Sequence, residues 1–191
     1  MSVREIPTGV PLEFSHAVAS VRSATVRSEV HLSEIPAPQR IAPYSLALSG
    51  EVETGDGEAA TGRFVLLHDP DGQDAWQGTM RLVTYARASL EPEFATEPML
   101  SDVGWAWLTD ALSDAGAIPL ALGGTVTRVL SDCHGVLADR EPTVEIEVRA
   151  SWTSSSCDIA AHLVGWSGLL CTVAGLPPLP EGVVSLRRPL R

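Results

Sequence analysis

Residues 143–153, with the sequence TVEIEVRASWT, carry the clearest structural signal in the chain. Apolar and polar side chains alternate along this stretch: Val144, Ile146, Val148 and Trp152 fall on one side, and Glu145, Glu147, Arg149 and Ser151 on the other. Strict alternation with one polar side is typical of an antiparallel strand whose second face lies outside the core. The stretch therefore predicts a sheet that is covered on one face only.

Other parts of the chain repeat this strand signal. Four more strands are predicted over residues 44–53, 63–68, 79–90 and 125–130, and Val26, Val30 and Leu32 give a weaker hint of another. Residues 34–43 contain three prolines, which favours an extended connector over a sheet edge, or else a proline-rich docking strip. The Pro-Asp-Gly run at residues 70–72 predicts a tight turn, and Gly123 with Gly124 predicts a turn that leads into a strand.

Three segments have the apolar spacing of helices. They cover residues 11–24, a segment capped by Ser101 or Asp102 that ends at Gly116, and a segment capped by Ser156 that ends at Gly175. Several strands follow one another without a helix between them, which favours antiparallel pairing. The sequence thus predicts a two-layer α+β fold, with a mostly antiparallel sheet of about five strands and helices packed on one face. We expect a single domain over residues 1–191, with a core over about 11–176 and a proline-rich tail over 177–191.

Composition excludes several classes of protein. The 191 residues include 24 acidic and 13 basic side chains, which gives a formal net charge of −11. A nucleic-acid-binding protein needs a positive face, so nucleic acid is not an expected partner. No apolar run is long enough for a membrane span, and residues 1–10 show no signal-peptide pattern. Three widely spaced cysteines suggest reduced thiols in the cytoplasm, and we predict neither a metal site nor a cofactor.

Two clusters of reactive side chains are weak candidates for a catalytic site. His68, Asp69 and Asp71 lie in one short segment that ends at Asp74, and this density could serve a hydrolase or a metal-dependent enzyme. Cys133 and His134 are adjacent and could form a nucleophile and its base. The turn signal over residues 68–74 competes with the first reading. Sequence neighbours usually point apart, which weakens the second.

A polar sheet face is the stronger candidate for a functional surface. If the strands are antiparallel, the polar side of the sheet carries Arg63, Arg81, Tyr85, Arg87, Glu145, Glu147 and Arg149. Such a face can be a solvated surface with Arg–Glu pairs, or a recognition surface, because arginine offers planar bidentate contacts. Trp105 and Trp107 point about 200° apart around a helix, so one of them, with Trp105 preferred, is expected to be exposed for a partner.

Six stretches support a resemblance that covers about residues 14–178. They read EIPAPQRIAPYSLALS (34–49), GRFVLLHDPDGQDAWQGTMRLVTYARA (62–88), VGWAWLTDAL (103–112), LGGTVTR (122–128), EIEVRASW (145–152) and LLCTVAGLPP (169–178). In this order they resemble a family of actinobacterial proteins known as domain of unknown function 3000. The resemblance implies a single-domain cytoplasmic protein and supplies no catalytic residues.

The leading hypothesis is a non-enzymatic interaction or adaptor module that uses the Arg/Tyr face and an exposed tryptophan. Its partner would be another protein or a second copy in a homodimer, and no small-molecule ligand can be named. The tail carries Arg187, Arg188 and Arg191 and is expected to dock on its own domain or on a second copy. The alternative is a small-molecule hydrolase or metal-dependent enzyme that uses residues 68–74 or the Cys133–His134 pair.

Overall fold

The computed structural model of the protein describes residues 9–55 and 57–178. Arg187, Arg188 and Arg191, and most of the predicted tail, lie outside these residues. The elements in chain order are α1 (Leu12–Ser23), β1 (Val30–Ile35), β2 (Tyr44–Thr54), β3 (Gly57–Gln73), β4 (Gly78–Leu90), α2 (Leu100–Asp114), β5 (Pro119–Ser131), β6 (Thr143–Ser154) and α3 (Ala160–Val173). Two 3₁₀ turns, Pro92–Thr96 and Gly135–Leu137, complete them.

The strands form one antiparallel sheet in the order β1-β2-β3-β4-β6-β5. The α+β class is confirmed, but the sheet has six strands rather than about five. The additional strand is β1, which contains Val30 and Leu32. It lies at the edge of the sheet and is only six residues long, so most of its side chains stay partly exposed. Its alternation is therefore too short and too incomplete to stand out in the sequence.

Even-numbered and odd-numbered side chains lie on opposite faces of this sheet. Over the regularly paired parts of all six strands, even-numbered residues pair with even-numbered residues. The even-numbered side chains of the central strands, such as Leu82 on β4 and Trp152 on β6, are fully buried in a core with residues from all three helices. Among the described residues no helix covers the opposite, odd-numbered side. We call this side the open face.

Two predicted turns lie elsewhere than expected. Residues 69–72 form a bulge within β3, opposite Thr79, because His68 pairs with Met80 and Gln73 with Gly78. Gly72 takes a φ of +72°, and the chain reverses at residues 74–77 instead. Gly123 and Gly124 likewise lie inside β5, where they follow a bulge, and the strand already begins at Pro119. In β3 the glycine accommodates the bulge, whereas in β5 the residue with positive φ within the bulge is Ala121, at +48°.

Helix α3 begins in a way that the local sequence does not reveal. The expected cap, Ser156, lies before the first helical residue, Ala160. The hydroxyl of Ser20 on α1 instead accepts hydrogen bonds from the amides of Ile159 (2.8 Å) and Ala160 (2.9 Å). The same hydroxyl donates to Asp158 Oδ1 at 2.7 Å. A residue that is distant in sequence therefore satisfies the free amides of this helix end.

Helix α2 begins at Leu100 and not after Ser101 or Asp102. The side chain of Glu97 accepts a hydrogen bond from the amide of Met99, just before the helix.

Over residues 9–55 and 57–178, none of the helices combines the length and the hydrophobicity that a membrane span requires.

Candidate functional site

A single row of side chains crosses the open face from edge to edge. The strand register aligns Ser33, Ser49, Arg63, Tyr85, Arg149 and Thr125, one from each strand. We call this set the central row. Because neighbouring residues in such a row lie only about 5 Å apart, the two arginines flank the tyrosine ring.

Tyr85 is held in place by its neighbours on β6. Its hydroxyl donates to Glu147 at 3.1 Å, and the guanidinium of Arg149 lies over its ring at 5.2 Å from the centroid. Arg149 also donates to Glu147 at 2.8 Å. Partial burial and the bond to Glu147 raise the pKa of Tyr85. Burial by itself would raise the pKa of Glu147, but the hydrogen bonds from Arg149 and Tyr85 lower it overall. The three groups thus form one fixed polar cluster.

Two other arginines predicted for binding have partners of their own. Arg87 makes a bidentate ion pair with Glu145, with contacts of 2.6–3.2 Å, at the exposed surface. Arg81 donates to Ser151 Oγ at 2.6 Å, and at 3.2 Å to both Thr153 Oγ1 and the carbonyl oxygen of Ala121. Burial lowers the pKa of Arg81. The hydrogen bond from Arg81 to Ala121 stabilises the bulge of β5, where Ala121 has a φ of +48°.

Arg63 differs from these residues. Its side chain is exposed, and it makes no hydrogen bond or ion pair with any residue that the structure describes. It lines a cleft of about 790 Å³ that spans five strands of the open face. The same cleft is lined by Tyr85 and Arg149, and by Glu51 and Thr61 on one side of the central row. It therefore contains a guanidinium with free donors beside a fixed aromatic ring.

The opposite side of the central row is apolar. Val65 and Val83 pair across β3 and β4, and both line the cleft. Val65 also packs against a small second core made of Ala42, Leu67 and Trp76. The proline-rich segment contributes Ala42 to this core, so it acts there as a packed connector. The cleft thus changes from apolar to charged along the strand direction.

Neither helical tryptophan is exposed in the way the sequence predicted. Trp105 and Trp107 are both half-buried and pack against the main core. The ring of Trp105 lies beside Gly124, on the helix-covered side of β5. Since glycine has no side chain, it leaves room for part of the indole there. The prediction of an exposed Trp105 is therefore wrong, and this residue is no part of the open face.

The structure separates the first group of catalytic candidates. His68 is fully buried on the helix-covered side, in a cluster with the rings of Phe14 and Tyr44, and its Nδ1 lies 3.1 Å from the carbonyl oxygen of Thr79. Asp69 points elsewhere, since its carboxylate accepts hydrogen bonds from the amide of Asp71 and from Gln73 Nε2. Asp71 is exposed. The imidazole and the two carboxylates thus form no common site.

The second candidate pair lies in the connection between β5 and β6. Cys133 is half-buried and His134 is exposed, and neither of them lines the cleft. No hydrogen bond joins their side chains in the described structure. In the part of the chain that the structure describes, His, Cys, Asp and Glu side chains form no group of three or more able to hold a metal ion.

Sequence reasoning missed several residues of the cleft. Thr61, Val65 and Val83 line it, yet the sequence analysis singled out only charged and aromatic side chains of this face. The signal was present, because all three share the odd-numbered side of their strands with Arg63 and Tyr85. A face is defined by position in the alternation and not by polarity, so its apolar members belong to the site as well.

The fold and the cleft define an α+β protein with one antiparallel sheet, whose open face carries the cleft. The chain belongs to the family described as protein of unknown function (DUF3000), whose model matches residues 10–184. No curated protein and no solved structure matches it.

Proposed function

We propose that this protein is a non-enzymatic interaction module that holds a partner molecule on its open face. The observation that carries this proposal is Arg63, a guanidinium that has no partner among the described residues and lies in a cleft that crosses five strands. Arginine is common in recognition surfaces because its planar donors can bind an acceptor in bidentate fashion. In the described structure no helix covers the open face, so the side chains that line its cleft remain accessible to a partner.

The fixed cluster around Tyr85 supports this proposal. Glu147 and Arg149 hold the tyrosine ring in one position before any partner binds. A side chain that is already ordered loses little conformational entropy on binding, so it contributes more of its contact energy to affinity. Tyrosine and arginine are also among the residues that most often dominate binding energy at interfaces. The rigid ring and the free guanidinium thus form a prepared contact surface.

The competing enzymatic hypothesis receives no comparable support. A nucleophile and its base must lie within hydrogen-bond reach of each other, and in the described structure no hydrogen bond joins the buried His68 to Asp69 or Asp71. The proposal also includes a cytoplasmic location, which rests on three free cysteines. The partner can be another protein, a second copy of this chain or a small-molecule ligand.

Two matched variants test whether the open face is the working surface. Val83 on the open face is 39% exposed, and Val103 on α2 is 38% exposed. Val83→Arg places a long charged side chain in the cleft, whereas Val103→Arg makes the same change on the helix-covered side. The immobilised wild type and both variants would be incubated with lysate of the source organism, and the retained proteins and small molecules identified by mass spectrometry.

We expect at least one component to be retained by the wild type and by Val103→Arg but lost from Val83→Arg. Circular dichroism and melting temperature would confirm that both variants fold. If Val83→Arg retains the same components in the same amounts as the wild type, the open face is not the binding surface and the proposal is wrong.

A further inference from the structure

We infer that the cleft binds a small amphipathic monocarboxylate, a molecule with one carboxylate group on an apolar body. This inference rests on the proposed function and names the chemistry of the ligand. The carboxylate would bind Arg63 beside the ring of Tyr85. The apolar body would lie over Val65 and Val83, on the side of the central row that faces the second core.

The free guanidinium selects an oxyanion. Arg63 has no carboxylate partner among the described residues, whereas Arg87, Arg149 and Arg81 all direct their donors to groups of the protein. A guanidinium presents parallel N–H donors that fit the two oxygens of a carboxylate, and such charge-assisted pairs are stronger than neutral hydrogen bonds. Arg63 is therefore the residue of the cleft to which a ligand oxyanion would bind most strongly.

The surrounding charges limit the ligand to a single negative charge. Glu51 is exposed and lines the cleft on one side of Arg63, and Glu147 lies beside Arg149 on the same side. The positive charge of Arg149 is already compensated by Glu147. Of the two arginines that line the cleft, only Arg63 lacks a partner among the described residues, so a phosphate dianion would meet more repulsion from Glu51 and Glu147 than a carboxylate with a single charge does.

The apolar part of the cleft lies where a ligand body can avoid the two glutamates. Val65 and Val83 occupy the row next to Arg63 and Tyr85 on the side away from Glu51. Val83 is 39% exposed, so a ligand that covers it removes apolar surface from water. The volume of about 790 Å³ is in the range of small-molecule sites. The apolar residues, the charge at Arg63 and the volume of the cleft thus all fit a small amphipathic monocarboxylate.

Three probes that share one apolar chain separate the contributions of these features. Octanoate carries a carboxylate, octanamide is its neutral counterpart, and octyl phosphate carries a higher negative charge. Each would be titrated into ¹⁵N-labelled full-length protein, and the shifts of open-face and helix-side amides would be followed by NMR. Arg63→Gln tests the guanidinium. Arg140→Gln is its control, since Arg140 is also exposed and does not line the cleft.

We expect octanoate to shift amides of the central row and to bind more tightly than either of the other probes. Loss of one charged hydrogen-bonding partner predicts affinity about tenfold or more weaker for Arg63→Gln, and unchanged for Arg140→Gln. Val83→Ser should also weaken the binding of octanoate while leaving the spectrum of the free protein otherwise intact. Both variants would be compared with the wild type by melting temperature.

Two results would overturn this inference, and they differ in what they imply for the proposed function. If octanamide binds the cleft as tightly as octanoate and Arg63→Gln has no effect, the carboxylate assignment is wrong, but the open face is still a binding surface. If no probe shifts the central row, the ligand class is wrong, and the capture experiment with Val83→Arg alone decides the proposed function.

Discussion

The indole N–H of Trp166 donates a hydrogen bond of 3.2 Å to the main-chain carbonyl oxygen of Tyr85. The ring reaches this carbonyl because Gly50 and Gly62 pair across β2 and β3 and leave a slot. A Cβ at either glycine would come within 2.6 Å and 2.8 Å of ring atoms of Trp166. Helix α3 therefore contacts the backbone of Tyr85 from the side of the sheet opposite to the cleft.

Trp166→Phe should change the open face as well as the stability. The substitution removes the donor to Tyr85 and leaves space in the core, so we expect a loss of about 2–4 kcal/mol in the free energy of unfolding. It should also shift the amide resonances of Arg63 and Tyr85. Trp152→Phe is the control, because Trp152 is equally buried and donates to His162 instead. Equal shifts of the central row in both variants would contradict the link between Trp166 and Tyr85.

His162 should make the stability depend on pH between about 4 and 6.5. Trp152 Nε1 donates to His162 Nδ1 at 3.0 Å, so this nitrogen carries no proton in the folded protein. Burial lowers the pKa of His162 from 6.5 to about 4. In this window the unfolded chain binds more protons than the folded one, so stability is complete above pH 6.5 and falls as the pH decreases towards 4.

Urea unfolding at a series of pH values measures this effect. A pKa shift of this size corresponds to a contribution of about 3 kcal/mol to the free energy of unfolding. His162→Gln should flatten this part of the pH dependence, whereas His16→Gln, at an exposed position of α1, should leave it unchanged. The assignment fails if the His162 variant keeps the slope of the wild type.

Two arginines on the same strand should differ in their contribution to stability. Arg81→Met removes donors from Ser151, Thr153 and the carbonyl of Ala121, so we expect a loss of about 2–3 kcal/mol. Arg87→Met removes only an exposed ion pair with Glu145, which solvent screens, so we expect a clearly smaller loss. Thermal unfolding compares the two. A larger loss for Arg87→Met than for Arg81→Met would refute this assignment of roles.

Two glycines of α3 give opposite expectations for the same substitution. A Cβ at Gly165 would lie 2.9 Å from the Cα of Leu112 on α2, which is closer than real Cβ contacts. A Cβ at Gly168 would lie 3.5 Å from the Cβ of Ala111, an ordinary distance. Gly165→Ala should therefore destabilise the protein by about 1–3 kcal/mol. Gly168→Ala should be neutral or stabilise it by up to about 1 kcal/mol, because alanine favours helix. Denaturant midpoints of the two variants test the sign.

The sequence allowed the open face to be predicted because alternation is a local property. Glu145, Glu147 and Arg149 alternate with buried side chains, and so do Arg81, Tyr85 and Arg87, so each strand shows its polar side without knowledge of its neighbours. The residues of the central row that come from β3, β4 and β6 could thus be listed together. Strand order and register could not, because they depend on contacts between segments that are distant in sequence.

The differences between sequence and structure have the same physical origin. Ser20 caps α3 from α1, and Gly124 makes room for Trp105 from across the layer, and neither contact leaves a local pattern. The Pro-Asp-Gly run has the composition of a turn, yet a bulge and a turn use the same residues. Arg63 was selected as one of several equivalent arginines. Only the side-chain contacts of the folded protein show that the other three arginines have partners, whereas Arg63 has none within the described part of the chain.

The neighbouring strands β4 and β6 are made of segments that the ribosome produces at different times. Leu90 ends β4 and Thr143 begins β6, so 52 residues (91–142) are synthesised between them. At a usual elongation rate of 5–20 residues per second, about 3–10 s pass between the synthesis of β4 and the start of β6. During this interval its backbone donors and acceptors on one side are unpaired, and the even-numbered side chains of the nascent β1–β4 unit lack α2 and α3. Translation speed over residues 91–142, and chaperones that bind nascent chains, should therefore influence the yield of folded protein more than substitutions on the open face do.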